Sequence, residues 1–191
     1  MKKLLLLLFA AAGMGAEAQM PASFSTLLQA EKDSVIAWRR WFHQHPELSN
    51  RESHTGARIA GMLRSWGLEV QTGIAGHGVK AVLKGGPGAV IAFRADIDGL
   101  PVTEPGGLPY ASRESASFNG QTTGVMHACG HDAHIAMLLG TARILSKLRK
   151  EMPGTAVFIF QPAEEGPPPG EAGGASLVVA EGALEQPAIE A

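Results

Sequence analysis

The chain has 191 residues, of which 45% are hydrophobic and 18% charged, and its 16 Lys and Arg against 18 Asp and Glu give a formal net charge of -2. This balance lacks the concentrated positive charge that a phosphate backbone requires, so we expect no nucleic acid partner. The hydrophobic fraction is too high for a disordered chain, and the length suits one globular domain or a piece of a larger one.

Residues 1–18 have the pattern of a secretory signal peptide. Two lysines precede an uncharged stretch of 13 residues at 4–16, and residues 16–18 form an A-x-A cleavage motif. A helix of that length rises only about 20 Å, which is short of a bilayer core of about 30 Å. We therefore expect cleavage after Ala18, export to the periplasm or the medium, and no stable membrane span in the mature chain, residues 19–191.

Two helices are predicted before any strong strand. Apolar residues recur at helical spacing over 26–43, and the dipeptide His45-Pro46 would end this first helix because proline restricts the residue before it. A second helix is predicted to start near Ser49, whose hydroxyl would form a capping box with Glu52, and to stop at Gly67.

Strands are predicted next, at 79–83 and 89–94. The Gly/Pro turn at 85–88 between them predicts a β-hairpin. Residues 99–125 show no sustained period, which predicts an extended loop of the long kind that is usually functional.

A helix at 131–150 and a strand at 156–160 complete the predicted elements. The strand is a short continuous apolar run, which is typical of a strand buried on both faces. With the strand at 89–94 they form a strand–helix–strand crossover, the unit of a parallel sheet, which is right-handed in nearly all known cases.

Acidic pairs follow both strands of this crossover. Asp96 and Asp98 come after the first, and Glu164 and Glu165 come after the second. Because ligands bind at the carboxyl ends of parallel strands, we expect both pairs at one functional edge of the sheet.

The segment HACGHDAH at 127–134 concentrates metal-ligand chemistry just before the long helix. Thiolate, imidazole and carboxylate groups are ligands for ions such as zinc, nickel or manganese. Cys129 and His131 flank a glycine and can turn toward one centre, and the following helix offers backbone N–H groups that favour a thiolate. The alternative interpretation is a buried structural cysteine among surface histidines.

Glu164 and Glu165 suit the two roles that metal-assisted hydrolysis needs. Adjacent side chains of an extended segment point to opposite sides, so one carboxylate could bind a metal while the other takes a proton from water as general base. Taken alone, paired glutamates in a loop are more often solvated charges. Asp96 and Asp98, two residues apart, are expected on one face and suited to orienting a histidine. Three other histidines are expected at surface or capping positions: His43, His45 and His54.

Four strings occur in order: WFHQHPELSNRE, AFRADIDGLPVTE, GVMHACGHDAHIAMLLGTARIL and FIFQPAEEG. With them the chain, from about residue 26 to its end, resembles the M20 family of metallopeptidases, specifically the amidohydrolase branch that hydrolyses N-acyl amino acids. The resemblance implies an α/β fold: the N-terminal part of a mostly parallel-sheet, zinc-peptidase-like catalytic domain, incomplete and without the inserted lid or dimerisation domain.

The resemblance also implies site residues and cofactors. Cys129, His131 and Glu165 would be metal ligands, Glu164 the general base, and Asp98 a catalytic residue that supports the metal geometry. The full-length enzyme would hold two divalent ions, of Zn, Mn, Ni or Co. It would hydrolyse the amide bond of an N-acyl amino acid or a small peptide, and full-length relatives would be homodimers.

One departure from the family pattern leaves the function open. Family members are longer and place two further histidine ligands beyond the paired glutamates, whereas no histidine follows His134 in this sequence. Three hypotheses result: the N-terminal part of an exported metal-dependent amidohydrolase, a truncated remnant that is inactive or only binds metal, or a hydrolase with Cys129 as nucleophile, activated by His127 or His131.

Overall fold

The computed structural model describes residues 22–191, so the predicted signal peptide lies outside the described residues. The elements in chain order are α1 (Ala22–Gln44), α2 (Ser53–Ser65), β1 (Glu69–Ile74), β2 (Gly78–Lys84), β3 (Val90–Asp96), β4 (Ser115–Phe118), β5 (Gln121–Gly124), α3 (His131–Lys147), β6 (Thr155–Gln161) and α4 (Gly174–Ala180). Within this range no helix combines the length and the apolar character needed to cross a bilayer.

The predicted first helix is confirmed as α1, but the capping of α2 was predicted wrongly. Helix α2 begins at Ser53, and its cap residue Glu52 makes no side-chain capping bond. Glu47 satisfies the start of the helix instead, because its carboxylate accepts hydrogen bonds from the backbone N–H of His54 and of Thr55, at 3.2 and 2.8 Å. Ser49 Oγ donates to an aspartate outside the helix. A charged acceptor binds an N–H or O–H more strongly than a neutral one, which explains both choices.

The predicted hairpin between 79–83 and 89–94 was wrong. The sheet has the order β1-β2-β6-β3, so β6 lies between the two segments, antiparallel to β2 and parallel to β3. The Gly/Pro segment bonds to the loop before β6, with Gly85 N–H donating to Gly154 O at 2.9 Å. The hairpin partner of β2 is β1, a mostly exposed edge strand whose polar sequence gave no strand signal.

The predicted crossover is confirmed. Strands β3 and β6 pair in parallel from Val90↔Thr155 to Asp96↔Gln161, and α3 connects them. The predicted loop at 99–125 contains a short antiparallel hairpin, β4–β5, which sequence reasoning missed. Its turn is Asn119-Gly120, both with positive φ, which is the strongest short-range hairpin signal a sequence can carry.

Strand β6 is buried on both faces, as its apolar run predicts. Phe158 and Phe160 belong to the main core, which also contains apolar side chains of α1, α2 and α3. Val157 and Ile159 belong to a second cluster that includes residues of α4. The described chain therefore has an α/β fold, in which helices pack against a mixed sheet. The crossover places the ends of β3 and β6 beside the start of α3.

Candidate metal centre

The carboxyl ends of β3 and β6 lie side by side, as predicted from the crossover. The ladder continues one residue past β3, where Ile97 N–H donates to Gln161 O at 3.1 Å. Beyond it, Glu165 N–H donates to Asp98 Oδ2 at 3.0 Å. The segment after β6 is thus tied to the segment after β3, and the predicted acidic residues do meet at one edge of the sheet.

Cys129, His131 and Glu165 form a group of potential metal ligands. One ligand atom of each, a sulfur, an imidazole nitrogen and a carboxylate oxygen, lies within 4.8 Å of the other two. Zinc-type ions bind such atoms at about 2.0–2.3 Å, so two ligands of one ion are at most about 4.6 Å apart. The donor chemistry fits a divalent ion of the zinc type, and the three atoms lie within about 0.2 Å of the largest spacing that such an ion spans.

His131 is held in the orientation that metal ligation requires. Its Nδ1 lies 2.9 Å from the backbone oxygen of Asp98 and 3.1 Å from Asp98 Oδ1. Metal-binding histidines almost always donate the other ring N–H to a carboxylate or carbonyl in this way. The ring then points Nε2 toward the glutamates, 3.7 Å from Glu164 Oε2 and 3.9 Å from Glu165 Oε1.

The prediction that the two glutamates lie in an extended segment and point to opposite sides was wrong. Residues 164–165 form a turn, and the preceding Ala163 has a positive φ of 51°. Both carboxylates consequently approach the same His131 nitrogen. Glu165 belongs to the group of potential ligands, and Glu164 lies next to it with a side chain that is 40% exposed.

Asp98 is the buried centre of this arrangement. Its carboxylate accepts from Ser49 Oγ at 2.7 Å, from Glu165 N–H and from His131. Burial alone would raise the pKa of Asp98, but the hydrogen bonds from these three groups outweigh it and hold the pKa below its usual value. Burial would likewise lower the pKa of His131, but the hydrogen bonds and the charge of Asp98, together with the charge of Asp96, raise it to about 9.

Cys129 is exposed, which excludes the alternative of a buried structural cysteine. The prediction of a thiolate favoured by the helix does not hold for the metal-free chain. A hydrogen bond with Glu165, followed by burial and the charges of Glu165, Glu164 and Asp96, raises the pKa of the thiol. A thiol with a raised pKa is a poor nucleophile, whereas a bound cation would remove its proton.

Asp96 and Asp98 each lie against a histidine ring, in line with the expectation that they are suited to orienting a histidine. Asp96 forms an ion pair with Arg94, and its Oδ2 lies 3.5 Å from His134 Nδ1. Strand β3 ends at Asp96, and Asp98 lies two residues beyond that end. Asp96 also groups with His131 and His134 as a second set of potential ligands.

Sequence reasoning misjudged His43, and it considered His127 only as an activator of a Cys129 nucleophile. His43 is buried, with Nδ1 2.8 Å from Asp132 Oδ2 and Nε2 3.0 Å from Glu104 Oε1, whereas His45 and His54 are exposed as expected. His127 Nδ1 lies 3.1 Å from the backbone oxygen of Asp98, and burial lowers the pKa of His127 to about 4.

We expect the free energy of unfolding of the metal-free chain to fall as the pH rises from about 6.5 to 9. The protonated His131 is stabilised in the folded chain, so its contribution is complete below the unfolded pKa of about 6.5 and is lost as the pH rises through about 9. The shift corresponds to about 3 kcal/mol. Urea denaturation with a chelator present, at several pH values, measures it.

The control for this pH dependence is a pair of variants in a Cys129→Ser background, which removes a second group whose pKa is raised in the folded chain. His131→Gln should flatten the profile, whereas His54→Gln, whose side chain is 89% exposed, should leave it unchanged. An equal slope in the His131→Gln protein would contradict the assignment.

Comparison with known proteins identifies the family of this chain. The sequence model of peptidase family M20/M25/M40 matches residues 92–191. An N-acyl-L-amino acid amidohydrolase of Geobacillus stearothermophilus is 42% identical over 160 residues, which are 83% of this chain and 40% of that protein. An N-acetyl-L-cysteine deacetylase of Bacillus subtilis (strain 168) is 40% identical over 170 residues, 88% of this chain and 37% of that protein.

A solved structure gives the same result for the fold. The YXEP protein of Bacillus subtilis, described as a dinuclear metal binding peptidase of the M20 family, superposes with a TM-score of 0.70 at 43% identity, covering 82% of this chain and 40% of the other. The chain thus spans about two fifths of the length of these relatives. The match extends over more than half of the sequence and includes every residue of the candidate centre, and the chain therefore belongs to peptidase family M20/M25/M40.

Proposed function

We propose that this chain supplies part of the active site of a metal-dependent amidohydrolase that cleaves the amide bond of N-acyl amino acids or small peptides. The observation that carries the proposal is the convergence of Cys129, His131 and Glu165 on one point, with a further carboxylate, that of Glu164, beside it. The names of the relatives, an N-acyl-amino-acid amidohydrolase and an N-acetylcysteine deacetylase, support this substrate class.

The residues divide the work by their chemistry. Cys129, His131 and Glu165 would hold a divalent ion, which supplies Lewis-acid polarisation and a lowered pKa for a water molecule. Glu164, more exposed than Glu165, is free to accept the proton of that water and to return it to the leaving amine. Asp98 keeps the His131 ring in position through Nδ1.

Other features of the full-length protein belong to the same proposal. The name of the YXEP relative, a dinuclear metal binding peptidase, supports two ions, and the ligand set suits Zn, Mn, Ni or Co. The resemblance to the amidohydrolase branch supports a homodimer. The pattern of residues 1–18 supports export to the periplasm or the medium.

Metal titration and hydrolysis assays on the chain test this function. The apo chain is titrated with zinc or cobalt, and the release of free amino acid from a panel of N-acetyl amino acids is measured with and without chelator. We expect one ion to bind with loss of the Cys129 thiol proton, and hydrolysis to require the ion. Activity that survives the chelator but not thiol alkylation would replace the proposal by a cysteine nucleophile, and metal binding without hydrolysis would limit it to the metal site.

A further inference from the structure

Glu52 is a buried acidic residue whose carboxylate binds outside the helix that it precedes. It occupies the cap position of α2 but makes no capping bond, and the residue is fully buried. Its Oε1 instead accepts a hydrogen bond from the backbone N–H of Ala163, at 2.8 Å and across 111 positions of sequence. Oε2 is buried without a hydrogen-bond partner. Such burial is costly for an acid, and the cost calls for a reason.

Ala163 directly precedes the turn at residues 164–165 and sets its direction. It has a φ of 51°, in the left-handed region that a residue with a Cβ rarely adopts, and it directly precedes Glu164 and Glu165. The conformation of Ala163 sets the direction in which the chain leaves β6, and with it the position of the turn at residues 164–165, where both carboxylates lie near His131.

Two buried carboxylates hold this turn by alternate backbone N–H groups. Glu52 accepts from Ala163, and Asp98 accepts from Glu165. The second contact also involves a residue that orients His131, but the first involves no residue of the candidate metal centre. The hydrogen bond of Glu52 therefore reaches the glutamates through the backbone of Ala163.

We propose that Glu52 is a positioning residue, which fixes Ala163 in its left-handed conformation and so aims Glu164 and Glu165 at the metal centre. The metal part of this inference rests on the proposed function, whereas the hold on the turn does not. Burial, followed by the nearby charge of Asp98, raises the pKa of Glu52 to about 7, so the group spends part of its time as a neutral acid that still accepts through Oε1. A neutral acceptor of the same shape should serve as well.

Hydrogen exchange on the full chain tests the hold on the turn without any metal. Glu52→Met removes the acceptor at similar size, and the amides of 161–166 should then exchange about tenfold faster, because a lost hydrogen bond releases local opening. Glu52→Gln keeps an oxygen acceptor and should leave the exchange near that of the wild type. Equal exchange in Glu52→Met and wild type would overturn the inference.

Glu47→Met is the matched control for a general loss of helix stability. Glu47 lies at the same end of α2 and accepts from two of its backbone N–H groups, but it does not contact Ala163. We expect this variant to lower the melting temperature and to leave the exchange of 161–166 unchanged. Acceleration of that segment to the same extent in both methionine variants would refute a specific role for Glu52.

Cobalt binding tests the consequence for the metal centre. Loss of a group that orients a metal ligand without itself binding the metal typically weakens metal affinity by about 10- to 100-fold. We expect this loss of affinity for Glu52→Met, together with an altered thiolate-to-cobalt absorption band. Glu52→Gln should retain wild-type affinity and spectrum. An unchanged affinity and band in Glu52→Met would refute the aiming role.

A second substitution at the turn gives an independent rescue. Ala163→Gly adopts positive φ without strain, so the double variant Glu52→Met/Ala163→Gly should recover most of the lost cobalt affinity. Absence of any recovery would contradict the role of Ala163. If Glu52→Met fails to fold, Glu52→Asp takes its place, because its shorter side chain stays acidic but does not reach Ala163.

The two proposals fail in different ways. If the wild-type chain binds no cobalt, the proposed function falls, and the hydrogen-exchange series alone decides whether Glu52 holds the turn. If cobalt binds to the wild type and Glu52→Met changes neither exchange nor affinity, the positioning role falls while the metal site stands.

Discussion

Replacement of Asp98 by alanine is expected to lower the free energy of unfolding by about 3–5 kcal/mol, the usual cost of removing one partner from a buried ion pair. The substitution removes the side-chain acceptor of three buried or half-buried donors: Ser49 Oγ, Glu165 N–H and His131 Nδ1. The charged His131, whose side chain is 2% exposed, loses its buried counter-ion Asp98. Chemical denaturation at pH 7 with a chelator present measures the loss.

Two further variants separate charge from shape. Asp98→Asn retains an oxygen acceptor and should lose less than Asp98→Ala, because the backbone N–H of Glu165 and the serine keep an acceptor. Glu69→Ala removes an exposed carboxylate paired with Lys84, and its effect should stay within about 0.5 kcal/mol. A loss below about 1 kcal/mol for Asp98→Ala would show that Asp98 is not the electrostatic centre described above.

The adjacent glutamates should respond oppositely to the same substitution. Glu165→Gln removes a potential ligand charge and should weaken metal affinity, whereas Glu164→Gln should leave affinity nearly unchanged. For the metal-loaded protein, Glu164→Gln should lower the turnover of an N-acetyl amino acid by about 10²- to 10⁴-fold, the contribution typical of a general acid–base group. Isothermal titration with zinc and a coupled assay for amino acid release measure the two quantities.

Each variant serves as the control for the other, since the residues are neighbours and the change is identical. The assignment depends on the geometry in which Glu165 groups with Cys129 and His131 while Glu164 stays at the rim. If Glu164→Gln abolishes metal binding and Glu165→Gln preserves it, the two roles are exchanged.

The sequence predicts those parts of the fold that depend on local periodicity. The stripe of α3 and the apolar run of β6 correctly predict a parallel pair with β3. The sequence does not predict which strands pair with β2. Strand β6 takes the middle of the sheet because both of its faces are buried there, and this burial overrides the hairpin signal of the nearby Gly/Pro turn. Strand β1 is stabilised by its partner strand and lacks an apolar pattern of its own.

The same division applies to the candidate site. The residue types of 127–134 and of 164–165 identify the metal chemistry, because ligands are recognisable as chemical groups. Their supports are not, since Ser49 and Glu52 match a capping box in sequence and act elsewhere in the structure. A left-handed alanine before the glutamates has no sequence signal, because tertiary contacts impose that conformation.

The register of β3 against β6 has a thermodynamic consequence. Glu165 reaches Cys129 and His131 only while Asp96 lies opposite Gln161, so an unfolded chain cannot assemble the three ligands at one point. An ion held by these residues would couple binding to folding in one equilibrium, in which free metal acts by mass action on the population of folded chains. The stability of the chain would then depend on the metal activity of its surroundings as well as on its own sequence.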